Sequence, residues 1–166
     1  MNSENPALLD AIGCENAPPP RKPGSIPRPL NLLLVEDNET DIEVFKRALR
    51  KTGFSYPVTV AHDGVEALAV LRGNGESTPL EWPCVALLDL NMPRMNGQEF
   101  LAEVRADPAL SDLVVFVLTT SDAPRDKAMA YKHNVAGYIL KTIHGPSIGD
   151  ILQMIDRFAR VVELPS

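Results

Sequence analysis

The chain has 166 residues, 45% of them apolar and 23% charged, with a formal net charge of −6. That length suits one domain able to bury its own core without disulfides or structural metal, and the composition excludes both wholesale disorder and a membrane protein. The acidic balance, without Lys and Arg clustered among aromatics, argues against a nucleic-acid surface. No run approaches the roughly 18 apolar residues of a spanning helix, and the N-terminus lacks the pattern of a signal peptide, so a cytoplasmic location is expected. Cys14 and Cys84 show no metal or disulfide spacing, and Cys84 reads as buried packing.

Seven of the fifteen prolines lie in the first 29 residues, a density that disfavours helix and predicts an unpacked tail over 1–29, including the apolar stretch 7–12. The folded domain is expected over 30–162, with a short C-terminal tail at 163–166. Within the domain, short apolar runs alternate with segments of helical period, the pattern of repeated βα units and a parallel sheet covered on both faces. Strands are predicted at 31–35, 58–61, 85–90, 114–119 and 137–141, the third and fourth central. Ile42, Phe45, Ala48 and Leu49 mark a first helix. Val65, Leu68 and Leu71 mark a second, and Phe100, Leu101 and Val104 a third. Residues 123–134 have weaker periodicity and predict a short fourth helix, whereas Ile148, Ile151, Ile155 and Phe158 predict a clear fifth. The stretch 73–83, with two Gly and two Pro, is a long loop closing the second helix. The fold class is therefore α/β, a doubly wound (βα)5 sheet, for which the strand order 2-1-3-4-5 is expected.

Open parallel sheets bind ligands beyond the carboxyl ends of their strands. The first strand runs into Glu36 and Asp37 and the third into Asp89, and the strand order brings these acids into one pocket. Carboxylates so crowded raise one another's pKa unless a cation intervenes, and oxygen ligands suit Mg2+ or Mn2+. Each acid alone reads as a solvated loop residue or helix cap. With Thr119 and Lys141 each ending a strand, the constellation reads instead as a phosphoryl-transfer centre: an oxygen nucleophile, a metal, and donors for the phosphate.

The strings Leu-Val-Glu-Asp-Asn at 34–38, Leu-Leu-Asp-Leu-Asn-Met-Pro at 87–93 and Gly-Tyr-Ile-Leu-Lys at 137–141 resemble the receiver domain of bacterial response regulators, a fold related to flavodoxin. Thirty residues separate Asp89 from Thr119 and twenty-two separate Thr119 from Lys141, as in that family. The resemblance implies a phosphoacceptor at Asp89, a metal held by Glu36, Asp37, Asp89 and the Asn91 carbonyl, and a loop shaped by Pro93 and Gly97. It implies that Thr119 and Tyr138 report phosphorylation to the face made by the fourth helix, fifth strand and fifth helix. Tyr138 has a competing role as a half-exposed strand aromatic. The family implies a histidine kinase as partner, and a protein that promotes its own phosphorylation and dephosphorylation without being an enzyme in the usual sense.

Two features depart from the common pattern. Thr142 follows Lys141 where most receivers have a cis proline, and a non-proline cis bond costs about 3 kcal/mol, which favours trans. That hydroxyl residue, the Leu-Thr-Thr-Ser string at 118–121 and the closing Glu-Leu-Pro-Ser resemble the small regulators that partner bacterial and cyanobacterial phytochromes. This narrower likeness implies a bacteriophytochrome kinase and a homodimer. With no room for an effector domain after Val161, output is expected by protein contact, onward phosphotransfer or dimer rearrangement. Haloacid-dehalogenase-type phosphatases are disfavoured because Asn91 stands where their second Asp is needed, and flavodoxin-type cofactor binding because acids follow the first strand. A receiver-like docking module independent of phosphorylation is the alternative.

Overall fold

The computed structural model describes residues 30–74, 80–142 and 144–165. The expected tail 1–29, with the stretch 7–12 and Cys14, lies outside the described residues, as does the centre of the 73–83 loop. Among the described residues, β1 (Asn31–Val35), β2 (Val58–Ala61), β3 (Cys84–Leu88), β4 (Val114–Thr119) and β5 (Gly137–Leu140) form one parallel sheet in the order 2-1-3-4-5. They alternate with α1 (Glu39–Thr52), α2 (Gly64–Arg72), α3 (Gly97–Ala106), α4 (Pro124–Lys132) and α5 (Ile148–Val161).

Successive strand residues point to opposite faces, so each central strand feeds two cores. Leu33, Val35, Ala86, Leu88, Val115 and Val117 pack against α2 and α3 residues such as Leu68, Phe100 and Leu101. Leu32, Leu34, Val85, Leu87, Phe116 and Leu118 pack against Ile42 and Phe45 of α1 and Ile151, Leu152 and Ile155 of α5. Each fully buried Leu, Ile or Phe contributes about 1.5–3 kcal/mol, so these layers are the main source of stability. Leu164, beyond α5, is buried in the second layer. Cys84 is buried in the first, and burial pushes its thiol up to about 12, leaving it unreactive.

Four of the five helices among the described residues begin where the sequence supplies a capping side chain. Asn38 Oδ1 accepts from the N–H groups of Thr40 and Asp41, Asp63 caps α2, and Asn96 with Glu99 and Ser147 with Asp150 form capping boxes on α3 and α5. Gly53, at φ +72°, closes α1 in the left-handed region. Among the described residues, no helix is long and apolar enough to cross a membrane.

Three local expectations need correction. The third strand ends at Leu88 rather than residue 90, because β1 ends at Val35, whose carbonyl accepts the Asp89 N–H at 2.9 Å. Asp89 therefore begins the following loop. The fifth strand ends at Leu140, although the Lys141 N–H still donates to the Thr119 carbonyl at 2.8 Å. Val65 matches the apolar spacing of the second helix yet is 45% exposed, because the buried face of α2 runs through Gly64, Ala67, Leu68 and Val70.

Candidate functional site

Register explains how acids far apart in sequence meet. Val35 of β1 pairs with Leu88 of β3, so the residues that follow, Glu36 and Asp89, leave the sheet side by side. Carboxylate oxygens of Glu36, Asp37 and Asp89 all lie within 4.8 Å of one another, about twice a typical metal–oxygen bond. Glu36 and Asp89 are buried, and Asp37 is exposed.

The Oδ1 atom of Asp89 is buried without a hydrogen-bond partner. An unpaired buried carboxylate oxygen is costly, so this atom has the character of a ligand or nucleophile awaiting a counter-charge. The donor set is entirely oxygen, which fits a hard divalent cation such as Mg2+ or Mn2+. Burial pushes the Glu36 carboxyl up, against the pull of Lys141 and of the Asn38 N–H, and the nearby Asp89 charge pushes it further.

Lys141 is the local counter-charge. Its ammonium bonds Glu36, and Asp41 of α1 accepts from it at 2.8 Å. Burial would lower the Lys141 pKa, but the bonds to Asp41 and Glu36 and the charges of Glu36 and Asp89 prevail and raise it. Lys141–Thr142 is trans, the cis bond among the described residues being Trp82–Pro83.

Thr119, fully buried, ends β4 beside β3, and its Oγ1 accepts from the Ser121 N–H at 3.3 Å. Tyr138 of β5 is half-buried, and its hydroxyl donates to the Ser121 carbonyl at 2.8 Å. Its ring packs on the first core layer, with the Lys127 ammonium 5.7 Å from its centre. Ser121 in turn donates to Asp126 Oδ2 at 2.6 Å, and the Asp126 carbonyl accepts from Gln98 Nε2 at 2.9 Å. Thr119, Tyr138, α4 and α3 are thus linked through one loop.

The loop from Asp89 to α3 carries Asn91, exposed beside Asp37 at a cleft of about 450 Å3 that Pro93, Asn96, Gln98 and Asp126 also line. Gly97 N–H closes the loop onto the Leu90 carbonyl at 3.0 Å. Arg94, at φ +62°, pairs with the buried Asp63, tying this loop to the start of α2. Sequence reasoning missed Asp41, Ser121 and Asp126. Asp41 reads as an acid favouring a helix N-terminus, and only the fold reveals its lysine partner.

Residues 32–155 match the response regulator receiver domain family. Response regulator Rcp1 of Synechocystis sp. is 33% identical over 139 residues, 83% of this chain and 95% of its own length. The crystal structure of the phosphorylated cyanobacterial phytochrome response regulator RcpA is similar at a TM-score of 0.74 and 36% identity, covering 84% of this chain and 100% of that one. The Mn(2+)-bound form of Rcp1 is similar at 0.72 and 32%, with 84% and 100% covered. The family match, the sheet order and the likeness to Rcp1 and RcpA agree: this chain belongs to the response regulator receiver family.

Proposed function

We propose that the protein is a phosphoryl-accepting switch in which Asp89 takes a phosphoryl group from the phosphohistidine of a histidine kinase. The supporting observation is the buried, unpartnered Asp89 Oδ1 within the three-carboxylate cluster. In the transfer, an Asp89 carboxylate oxygen forms a bond to phosphorus as the phosphorus–nitrogen bond breaks. The electron pair returns to the imidazole, and the product is an acyl phosphate.

Glu36, Asp37 and Asp89 through their carboxylates, and Asn91 through its main-chain carbonyl, would hold Mg2+ or Mn2+. When bound, the cation neutralises charge on the transferring phosphoryl oxygens. Lys141 supplies a fixed positive charge and a hydrogen bond to those oxygens. Thr119 offers its hydroxyl, which exchanges its contact with the Ser121 N–H for one with the phosphoryl group. The chain is a phosphoacceptor in this reading, assisting its own modification and its reversal.

The added charge meets Thr119 and Lys141 only in the modified protein, so it shifts an equilibrium between two conformations. The Tyr138 bond to Ser121, two residues beyond Thr119, supports a route from the site to α4, β5 and α5. Likeness to the cyanobacterial phytochrome response regulator RcpA supports a phytochrome-type kinase as the donor. A homodimer through the α4, β5 and α5 face accords with the exposed Met129 and Tyr131 of α4 and Met154 and Val161 of α5. Light scattering of a monomer at micromolar concentration would refute the dimer.

The acceptor assignment is tested by incubating the protein with acetyl phosphate and Mg2+ and weighing the intact chain. Wild type is expected to gain one phosphoryl mass and Asp89→Asn none. Equal incorporation eliminates Asp89, and no incorporation by either favours a docking module independent of phosphorylation.

A further inference from the structure

Lys141 is held by two carboxylates in different situations. Glu36 is buried at the end of β1 and belongs to the acid cluster, whereas Asp41 stands in the first turn of α1, its side chain 41% exposed, and outside that cluster. An ammonium donates three hydrogen bonds and accepts none. Glu36 and Asp41 engage two of those of Lys141, leaving a third N–H, and the Asp89 charge acts on the same ammonium.

A divalent cation gathered by Glu36, Asp37 and Asp89 would compete with Lys141 for Glu36. Both positive groups draw on the same carboxylate, and they repel each other. Asp41 is free of that competition. It is also well placed, because its main-chain N–H donates to Asn38 Oδ1 at 3.3 Å and the Asn38 N–H donates to Glu36 Oε1 at 3.1 Å. The end of β1, the cap and the first turn of α1 are thus one hydrogen-bonded unit. Complementing the helix dipole explains an acid at this position. It does not explain a bond to a lysine 100 residues away, just beyond the end of β5.

We propose that Asp41 is a positioning residue of the phosphoacceptor site, keeping the Lys141 ammonium beside Asp89 when Glu36 turns to the cation. This rests on the cation and phosphoryl reading given above. Asp41 itself touches neither phosphate nor cation and acts through Lys141. Its bond remains when the bond from Glu36 weakens, so the lysine stays oriented for the incoming phosphoryl group.

The test uses the full chain as wild type, Asp41→Ala and Asp41→Asn, with and without saturating Mg2+. Brief lysine acylation read by mass spectrometry reports how well Lys141 is held, and acetyl phosphate reports phosphate uptake. Alanine is a good helix former at this partly exposed site, so the fold is kept. In wild type, Lys141 is expected to react equally with and without Mg2+. In Asp41→Ala it should become about fivefold more reactive only when Mg2+ is present, and uptake should slow about fivefold, as for loss of one partly screened charge-assisted bond. Asp41→Asn, which retains an acceptor oxygen, should fall between.

Equal Lys141 reactivity and uptake in Asp41→Ala and wild type would overturn this role while leaving the phosphoacceptor reading intact. Equal gains in reactivity with and without Mg2+ would make Asp41 a plain tether and would also overturn it. No uptake by wild type would remove both readings.

Discussion

A Cβ at Gly97 would lie 2.5 Å from the Asp89 carbonyl oxygen and 2.8 Å from Leu90 Cα. Both are backbone atoms that cannot swing aside, so the turn from Asp89 into α3 requires glycine for close approach. Gly97→Ala is expected to cost about 1–3 kcal/mol in urea unfolding and to reduce phosphate uptake, because any relief moves the acceptor's own main chain. Full uptake with unchanged stability would show a loop free to shift. Glu36, Asp89, Thr119 and Lys141 were legible in the sequence because each ends an apolar run or directly follows one, and Asp37 because it adjoins Glu36. Asp41 and Ser121 were not, because what marks them is a partner across the fold.

Among the helices, α4 is the least anchored by its own sequence. It has no side-chain N-cap bond, and Ala130 is its buried residue. Its ends are instead fastened from outside. At the N-terminus, Asp126 receives Ser121 and Gln98. At the C-terminus, Arg105 of α3 donates to the His133 carbonyl at 2.7 Å and the Asn134 carbonyl at 3.2 Å. The same guanidinium reaches the carbonyls of Ser111 at 2.6 Å and Leu113 at 3.0 Å. A cation there satisfies carbonyls that lack intrahelical donors and complements the helix dipole. Arg105→Ala is expected to cost about 2–3 kcal/mol, and hydrogen exchange should locate the loosening first at the end of α4. Protection lost uniformly across the sheet would refute this local role. The weak periodicity over 123–134 carries the same meaning: a helix held by its ends needs little apolar stripe, and that suits the part given to α4 in the proposed switch.

For the whole molecule, stability should fall at both extremes of pH. The buried Asp63 carboxyl is held below its ordinary value of 3.8: burial would raise it, but the Glu66 N–H and Arg94 prevail. The bonds from Arg160 and Tyr56 likewise lower Asp156 from 3.8. Groups depressed on folding stabilise above the unfolded value, and that stability is lost as pH falls through the folded one. On the alkaline side, burial and then the bond to Asp156 push Tyr56 from 10.0 up to about 12. Its contribution is present below pH 10 and is lost as pH rises from 10 through about 12. Thermal unfolding across pH should therefore show Tyr56→Phe with a shallower alkaline decline than wild type, and Asp156→Asn with a shallower acid decline. Parallel profiles would remove these groups from the linkage.

The alternation of apolar runs with helical period determined the repeated βα units and the strand ends at which acids gather, because the spacing of apolar residues over short stretches of chain is a local property of the sequence. The tertiary structure alone decided that Lys141 pairs with Asp41 as well as Glu36, that Tyr138 bonds the Ser121 carbonyl, and that Arg105 closes α4. Those bonds join side chains to atoms on other elements. They depend on the distances and rotamers that packing leaves available, which no local pattern in the chain encodes.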